Sequence, residues 1–160
     1  MTQVILISMP FAVRSGPSLA LSLLKSLLIR DGIVCDVFYC DLAFREFCGE
    51  NEAYDRILSK WLVGEWVFGT ALFGEDFLQS TRRDVNVLCD ILPEKDREIL
   101  SKDLIRLAAK SKPFVCHVLE SIDWSKYDVI GLTSTFAQNI ASLALATAIK
   151  ERWPNKIIDF

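Results

Sequence analysis

Thr133, Ser134, Thr135, Gln138 and Asn139 crowd into the stretch TSTFAQN, between two apolar runs. Their hydroxyls and carboxamides donate and accept hydrogen bonds without carrying charge. Such a set could meet a ligand. It equally suits capping of a helix that begins just after it. A helix start also presents free backbone N–H groups, which favour anions and carboxamides. Other residues offer less. His117 is the only histidine and stands beside Cys116 in a predicted helix, so a hydrolase triad would need an unusual form. Glu46, Glu50 and Glu52, and Glu75 with Asp76, read as solvated helix faces. Neither GxGxxG nor a P-loop GK[ST] occurs.

The elements around TSTFAQN follow from hydrophobic patterning. QVILIS (Gln3–Ser8) is a continuous apolar run, as in a strand buried on both faces of a parallel sheet. MPFAVRSGPS breaks it, and Pro17 opens a helix whose Ala20, Leu23, Leu24, Leu27 and Leu28 recur at helical spacing. Gly32 is placed as its C-cap, and residues 33–40 form the next strand. Strand, helix, strand is a βαβ unit. Residues 43–126 read as a long helical insertion. Within it, Pro93 starts a helix with Leu100, Leu104, Leu107 and Ala108 on one face, and Pro113 restarts a short one. Trp61, Trp66, Phe68, Phe73 and Phe77 form either core or an apolar wall for a flat ligand or partner. YDVIGLTS resumes the strand pattern. The helix after Asn139 places Ile140, Leu143, Ala144 and Ala148 on one face, and KIIDF begins a fourth strand.

The fold expected is α/β: a partial flavodoxin-like, Rossmann-like parallel sheet with its helical insertion between strands two and three. In the order 2-1-3-4-5 the strand order reverses between strands one and three, and ligands bind beyond the carboxyl ends there. Residues 9–16 and 134–139 flank that point.

The totals fit this. The chain has 160 residues, 51% of them hydrophobic, which suits one domain with a real core. A formal charge of -3 argues against nucleic acid as the partner. SLALSLLKSLLI is interrupted by Lys25 and too short to span a bilayer, and no targeting segment is visible, so a cytoplasmic protein is expected. Cys35, Cys40, Cys48, Cys89 and Cys116 form no CxxC pair and read as buried thiols rather than a disulfide framework or metal site.

MPFAVRSGPSLALSLLK, GEWVFGTALFG and above all IDWSKYDVIGLTSTFAQNIASLALATAIKERWP resemble the N-terminal region of a radical S-adenosylmethionine family that matures ribosomally made peptides, often described as C-methyltransferases. The resemblance covers nearly the whole chain. It implies a cobalamin-binding domain, followed by a barrel whose CxxxCxxC motif holds a [4Fe-4S] cluster and cleaves S-adenosylmethionine. Methylcobalamin would deliver the methyl group to the precursor peptide. Two departures stand out. Many cobalamin domains carry DxHxxG after strand one, and this chain has MPFAVRSG with no cobalt-ligating histidine. CxxxCxxC is absent, so residues 1–160 are expected to be one incomplete cobalamin-binding-type domain, not catalytic alone, whose barrel domain lies elsewhere.

Under this reading Ser134, Thr135, Phe136, Gln138 and Asn139 face the cofactor, with Met9, Pro10 and Phe11 opposite, and no residue is catalytic or binds metal. The rival reading is a cofactor-free interaction module or gene remnant. It would bind a precursor peptide or partner enzyme through the aromatic insertion, and dimerise through an open sheet edge after Ile157 and Ile158. A small independent flavodoxin-like enzyme is the third, and the lack of an acid–base constellation counts against it.

Overall fold

The structure is a computed structural model that describes residues 2–12, 16–49, 51–58, 63–77 and 94–160. The chain is α/β. Strands β1 (Gln3–Ser8), β2 (Val34–Tyr39), β3 (Val129–Leu132) and β4 (Ile157–Asp159) form one sheet in the order β2-β1-β3-β4. Every pairing is parallel: Val4 faces Cys35 on one side and Val129 on the other, and Val129 faces Ile157. This is a partial flavodoxin-like sheet, with strand order reversing between β1 and β3.

Helix α1 (Leu19–Arg30) joins β1 to β2. Between β2 and β3 lie α2 (Cys40–Cys48), α3 (Asn51–Leu58), α4 (Val63–Phe73) and α5 (Glu94–Ser121), and α6 (Asn139–Arg152) joins β3 to β4. The insertion expected over residues 43–126 therefore exists and is helical among the described residues. None of their helices is long and apolar enough to cross a membrane.

The alternation of side chains along β1 divides the core. Ile5 and Ile7 face a large cluster built with Ile130, Leu132 and helices α2 to α6. Val4 and Leu6 face a small one with Leu21 and Cys35. α4 is apolar all round because it is buried between α5 and α6, the pattern of an internal helix. Leu100, Leu104, Leu107 and Ala108 of α5 are buried as their spacing predicts. Asp103, one residue before Leu104, is 1% exposed and binds Arg56 of α3 and Arg106, both at 2.7 Å.

Several expectations are corrected. α1 starts one residue after its N-cap Ser18, so Pro17 precedes the helix. It ends in a Schellman motif: Gly32 takes φ +78°, its N–H bonds the Ile29 carbonyl, and the Ile33 N–H bonds that of Leu28. Leu21, not Leu23, Leu24 or Leu27, is its buried residue. Leu21 and the partly buried Leu28 pack on the small cluster of Val4, Leu6 and Cys35, while Leu23, Leu24 and Leu27 face outward. Pro113 does not restart a helix but lies inside α5. An internal proline costs about 3 kcal/mol. Burial of Phe114, Val115, Val118 and Leu119 just beyond it offsets that. On α6, Ala141, Ala144, Leu145 and Ile149 are buried while Leu143 is exposed, a face rotated from the expected one. Cys35, Cys40 and Cys48 are buried thiols, whereas Cys116 is exposed. Trp66 and Phe68 are core, and Phe73 is exposed. The expectations for Trp61, Cys89 and Pro93 lie outside the described residues.

Candidate functional site

A cleft of about 540 Å³ opens at the carboxyl ends of β1, β2 and β3. Ser8 and Phe11 line it from the end of β1, Gly16 to Ala20 from the start of α1, Tyr39 and Asp41 from the end of β2, and Thr133, Thr135, Phe136 and Gln138 from the loop after β3. It lies at the switch point that the strand order defines.

The two loops are bolted together. Gln138 is 2% exposed; its Nε2 donates to the Met9 carbonyl at 2.6 Å, and its Oε1 accepts from the Thr135 hydroxyl at 2.6 Å. The Met9 N–H donates to Thr133 Oγ1 at 2.9 Å, and the Ser142 hydroxyl bonds the Thr133 carbonyl at 2.6 Å. Asn139 accepts from the Ser134 hydroxyl at 2.6 Å and donates its Nδ2 to Glu65 at 2.8 Å. Glu65 reaches across from α4 and also takes the backbone N–H groups of Asn139 and Ile140, at 3.2 and 2.7 Å. A carboxylate at a helix N-terminus complements the dipole. These α6 amides, expected to face a ligand, are thus occupied from within.

The helical insertion anchors the β1 loop. The Phe11 ring stacks on Tyr54 with centroids 5.0 Å apart, and the Tyr54 hydroxyl accepts from the Phe11 N–H at 2.9 Å. Phe44 and Phe68 meet the same ring edge-on. Phe11 and Ala137 both hold φ near +70°, an arrangement that costs non-glycine residues about 1–2 kcal/mol. One strained residue thus sits in each loop at the cleft. Gly64 of α4 lies where a Cβ would come within 2.7 Å of both Phe11 and Ala137, so α4 braces both loops by close approach.

Of the residues expected to face a cofactor, Thr135, Phe136, Gln138 and Phe11 line the cleft. Phe136 is 71% exposed and Leu19 84%, the two large apolar groups that the cleft presents to solvent. Met9 and Pro10 are buried and do not line it, and Ser134 and Asn139 bond each other and Glu65 at its edge. His117 is exposed on α5, packed on Phe47 with centroids 5.3 Å apart, and is not part of the cleft.

Asp41, Ser8 and Tyr39 went unnoticed in the sequence. Asp41 is 7% exposed in the first turn of α2, and its Oδ1 is buried with no hydrogen-bond partner. Burial raises its pKa above the usual carboxylate range, against the pull of its own and Leu42's amides and the Ser8 hydroxyl. An aspartate in a first helical turn is ordinary, so nothing in VFYCDL marks it out. Among the described residues, no cluster of three or more His, Cys, Asp or Glu side chains gathers to hold a metal.

The arrangement can bind a neutral polar molecule with an apolar face. Of its lining hydroxyls, Thr135 donates to Gln138, Thr133 accepts from the Met9 N–H, and Ser8 bonds the Asp41 carboxyl. Comparisons with protein-family models, curated proteins and solved structures each returned no match.

Proposed function

We propose that the chain is a cobalamin-binding-type domain, not catalytic by itself, serving a cytoplasmic radical S-adenosylmethionine enzyme that C-methylates ribosomally synthesised peptides. The observation that carries this is the cleft at the β1/β3 switch point, which the most specific of the resembling segments lines with Thr133, Thr135, Phe136 and Gln138. The residues fit the group in kind. A corrin ring is flat and apolar on its faces, matching exposed Phe136, and carries carboxamides on its rim, matching the free oxygen of Asp41. No histidine lines the cleft, so the cobalt would receive no imidazole from the described residues. The bound cofactor supplies a transferable methyl group. The protein's part is to hold it: Thr135 and Gln138 keep the loop after β3 in place, and Phe136 covers an apolar face. The [4Fe-4S] cluster, S-adenosylmethionine and the peptide belong to the barrel domain.

Titration with hydroxocobalamin, followed in the visible spectrum, tests this. Saturable binding that Phe136→Ala and Thr135→Ala weaken supports the proposal. Binding untouched by both variants, or none, refutes it.

A second reading, a cofactor-free interaction module, is favoured by a separate observation. Leu19, Leu23 and Ile29 of α1 are more than half exposed, as is Ile157 on the three-residue edge strand β4. Concentration-dependent dimerisation in sedimentation, with no spectral change on adding hydroxocobalamin, would favour it.

A further inference from the structure

We infer that Asp41 is a ligand-recognition residue of the cleft, its Oδ1 accepting a hydrogen bond from a hydroxyl or primary-amide group of the bound molecule. The inference rests on reading the cleft as a cofactor site, and adds the chemistry that the site selects.

Three observations carry it. The first is position. Asp41 follows the carboxyl end of β2 and lines the same cleft as Ser8 at the end of β1 and the Gly16–Pro17–Ser18 turn before α1. In dinucleotide-binding α/β folds an acidic residue at the end of the second strand accepts from a ribose hydroxyl. The second is unused capacity. Buried polar atoms are as a rule hydrogen-bonded, and each exception needs a reason. Oδ1 of Asp41 is such an exception; of the lining hydroxyls, Thr135 already donates to Gln138, while Ser18 and Thr133 accept from the Leu21 and Met9 N–H groups. The third is charge. No lysine or arginine is among the described residues lining the cleft. A carboxyl without a cation repels anions and accepts from neutral donors. That disfavours an anionic group at Asp41, and the cofactor reading supplies a hydroxyl or carboxamide as the donor.

Two sources present that chemistry: the carboxamide rim of a corrin and the ribose hydroxyls of a nucleoside. The full chain, labelled with ¹³C at the aspartate carboxyls, separates them. Dicyanocobinamide carries rim amides and no ribose. Adenosine carries ribose hydroxyls and no corrin. We expect at least one to shift the Asp41 resonance and lower its titration midpoint, since a donor to the carboxylate favours the charged form. Asp41→Ala should weaken that probe about tenfold or more, the loss of a hydrogen bond to a charged acceptor. An Asp41 resonance unmoved by both probes overturns the inference, as does undiminished affinity of the variant. If adenosine moves Asp41 while dicyanocobinamide and hydroxocobalamin do not, the inference stands and the cobalamin reading falls. If hydroxocobalamin binds and Asp41 stays unmoved by every probe, the reverse holds.

Discussion

Gln138→Ala should unlatch the two loops of the cleft. The substitution removes two hydrogen bonds of 2.6 Å, a buried one to the Met9 carbonyl and a part-buried one from Thr135. Each contributes about 1 kcal/mol net, and a buried carbonyl left without its donor costs about 1–3 kcal/mol more. The side-chain entropy regained in the unfolded chain offsets part of this, up to about 2 kcal/mol. The sum is a loss of about 1–5 kcal/mol, with about 3 kcal/mol at the centre. For a chain of this size each kcal/mol moves Tm by about 2–4 °C, so a fall of roughly 6–12 °C is expected at that centre. Urea denaturation should show a lower midpoint at unchanged slope, because the exposed surface on unfolding stays the same. Gln138→Glu sharpens the test. It keeps an acceptor for Thr135 but sets a carboxylate against the Met9 carbonyl. That carboxyl should titrate above its unfolded value, so its stability is full in acid and lost as pH rises through the folded pKa. A loss below about 0.5 kcal/mol for Gln138→Ala, or a pH-independent Gln138→Glu, would refute the latch.

Asp41 makes a pH-dependent contribution of the same sign. Its pKa is raised by burial, so the folded state holds the proton more tightly than the unfolded chain. Stability should be greatest below the ordinary carboxylate pKa and decline as pH rises through the folded value; Asp41→Asn should flatten that decline in thermal melts from pH 4 to 8. Asp103→Ala should cost about 1–3 kcal/mol in urea denaturation, since it removes the buried carboxylate that accepts from Arg56 and Arg106. Ala137→Gly should leave stability unchanged or raise it by up to about 1 kcal/mol, because φ of +69° is free for glycine, whose extra unfolded entropy takes back part of the gain. Gly64→Val should destabilise by about 1–3 kcal/mol and displace the β3–α6 loop, visible as amide shift changes at Ala137, because the added carbon meets Ala137 and Phe11 at 2.7 Å.

The sheet was legible because its signals are local. β1 reads directly from VILI flanked by polar ends, and β3 from DVIGL. The strand order followed from the flavodoxin-like arrangement expected of a chain that opens with a βαβ unit. Helix faces were less legible. Leu23, Leu24 and Leu27 have the spacing of a buried stripe, but how much apolar sheet lies beneath a helix is a long-range fact. Pro113 has a local cost that only the packing of Phe114 and Val118 outweighs. At the cleft, TSTFAQN announced polar groups without saying where they bond. Gln138 and Asn139 turn inward to Met9 and Glu65, partners 129 and 74 residues distant. Asp41 stayed hidden for the converse reason: a missing partner leaves no trace in sequence.

The central claim is that a cobalamin-type cofactor occupies the cleft at the ends of β1, β2 and β3. Amide chemical-shift mapping of the full chain with hydroxocobalamin tests it most directly. The account predicts shifts confined to Ser8 and Phe11, the start of α1, Asp41, and Thr133 to Gln138. Shifts centred on the outer leucines of α1 or on β4, or none at saturating cofactor, would contradict it.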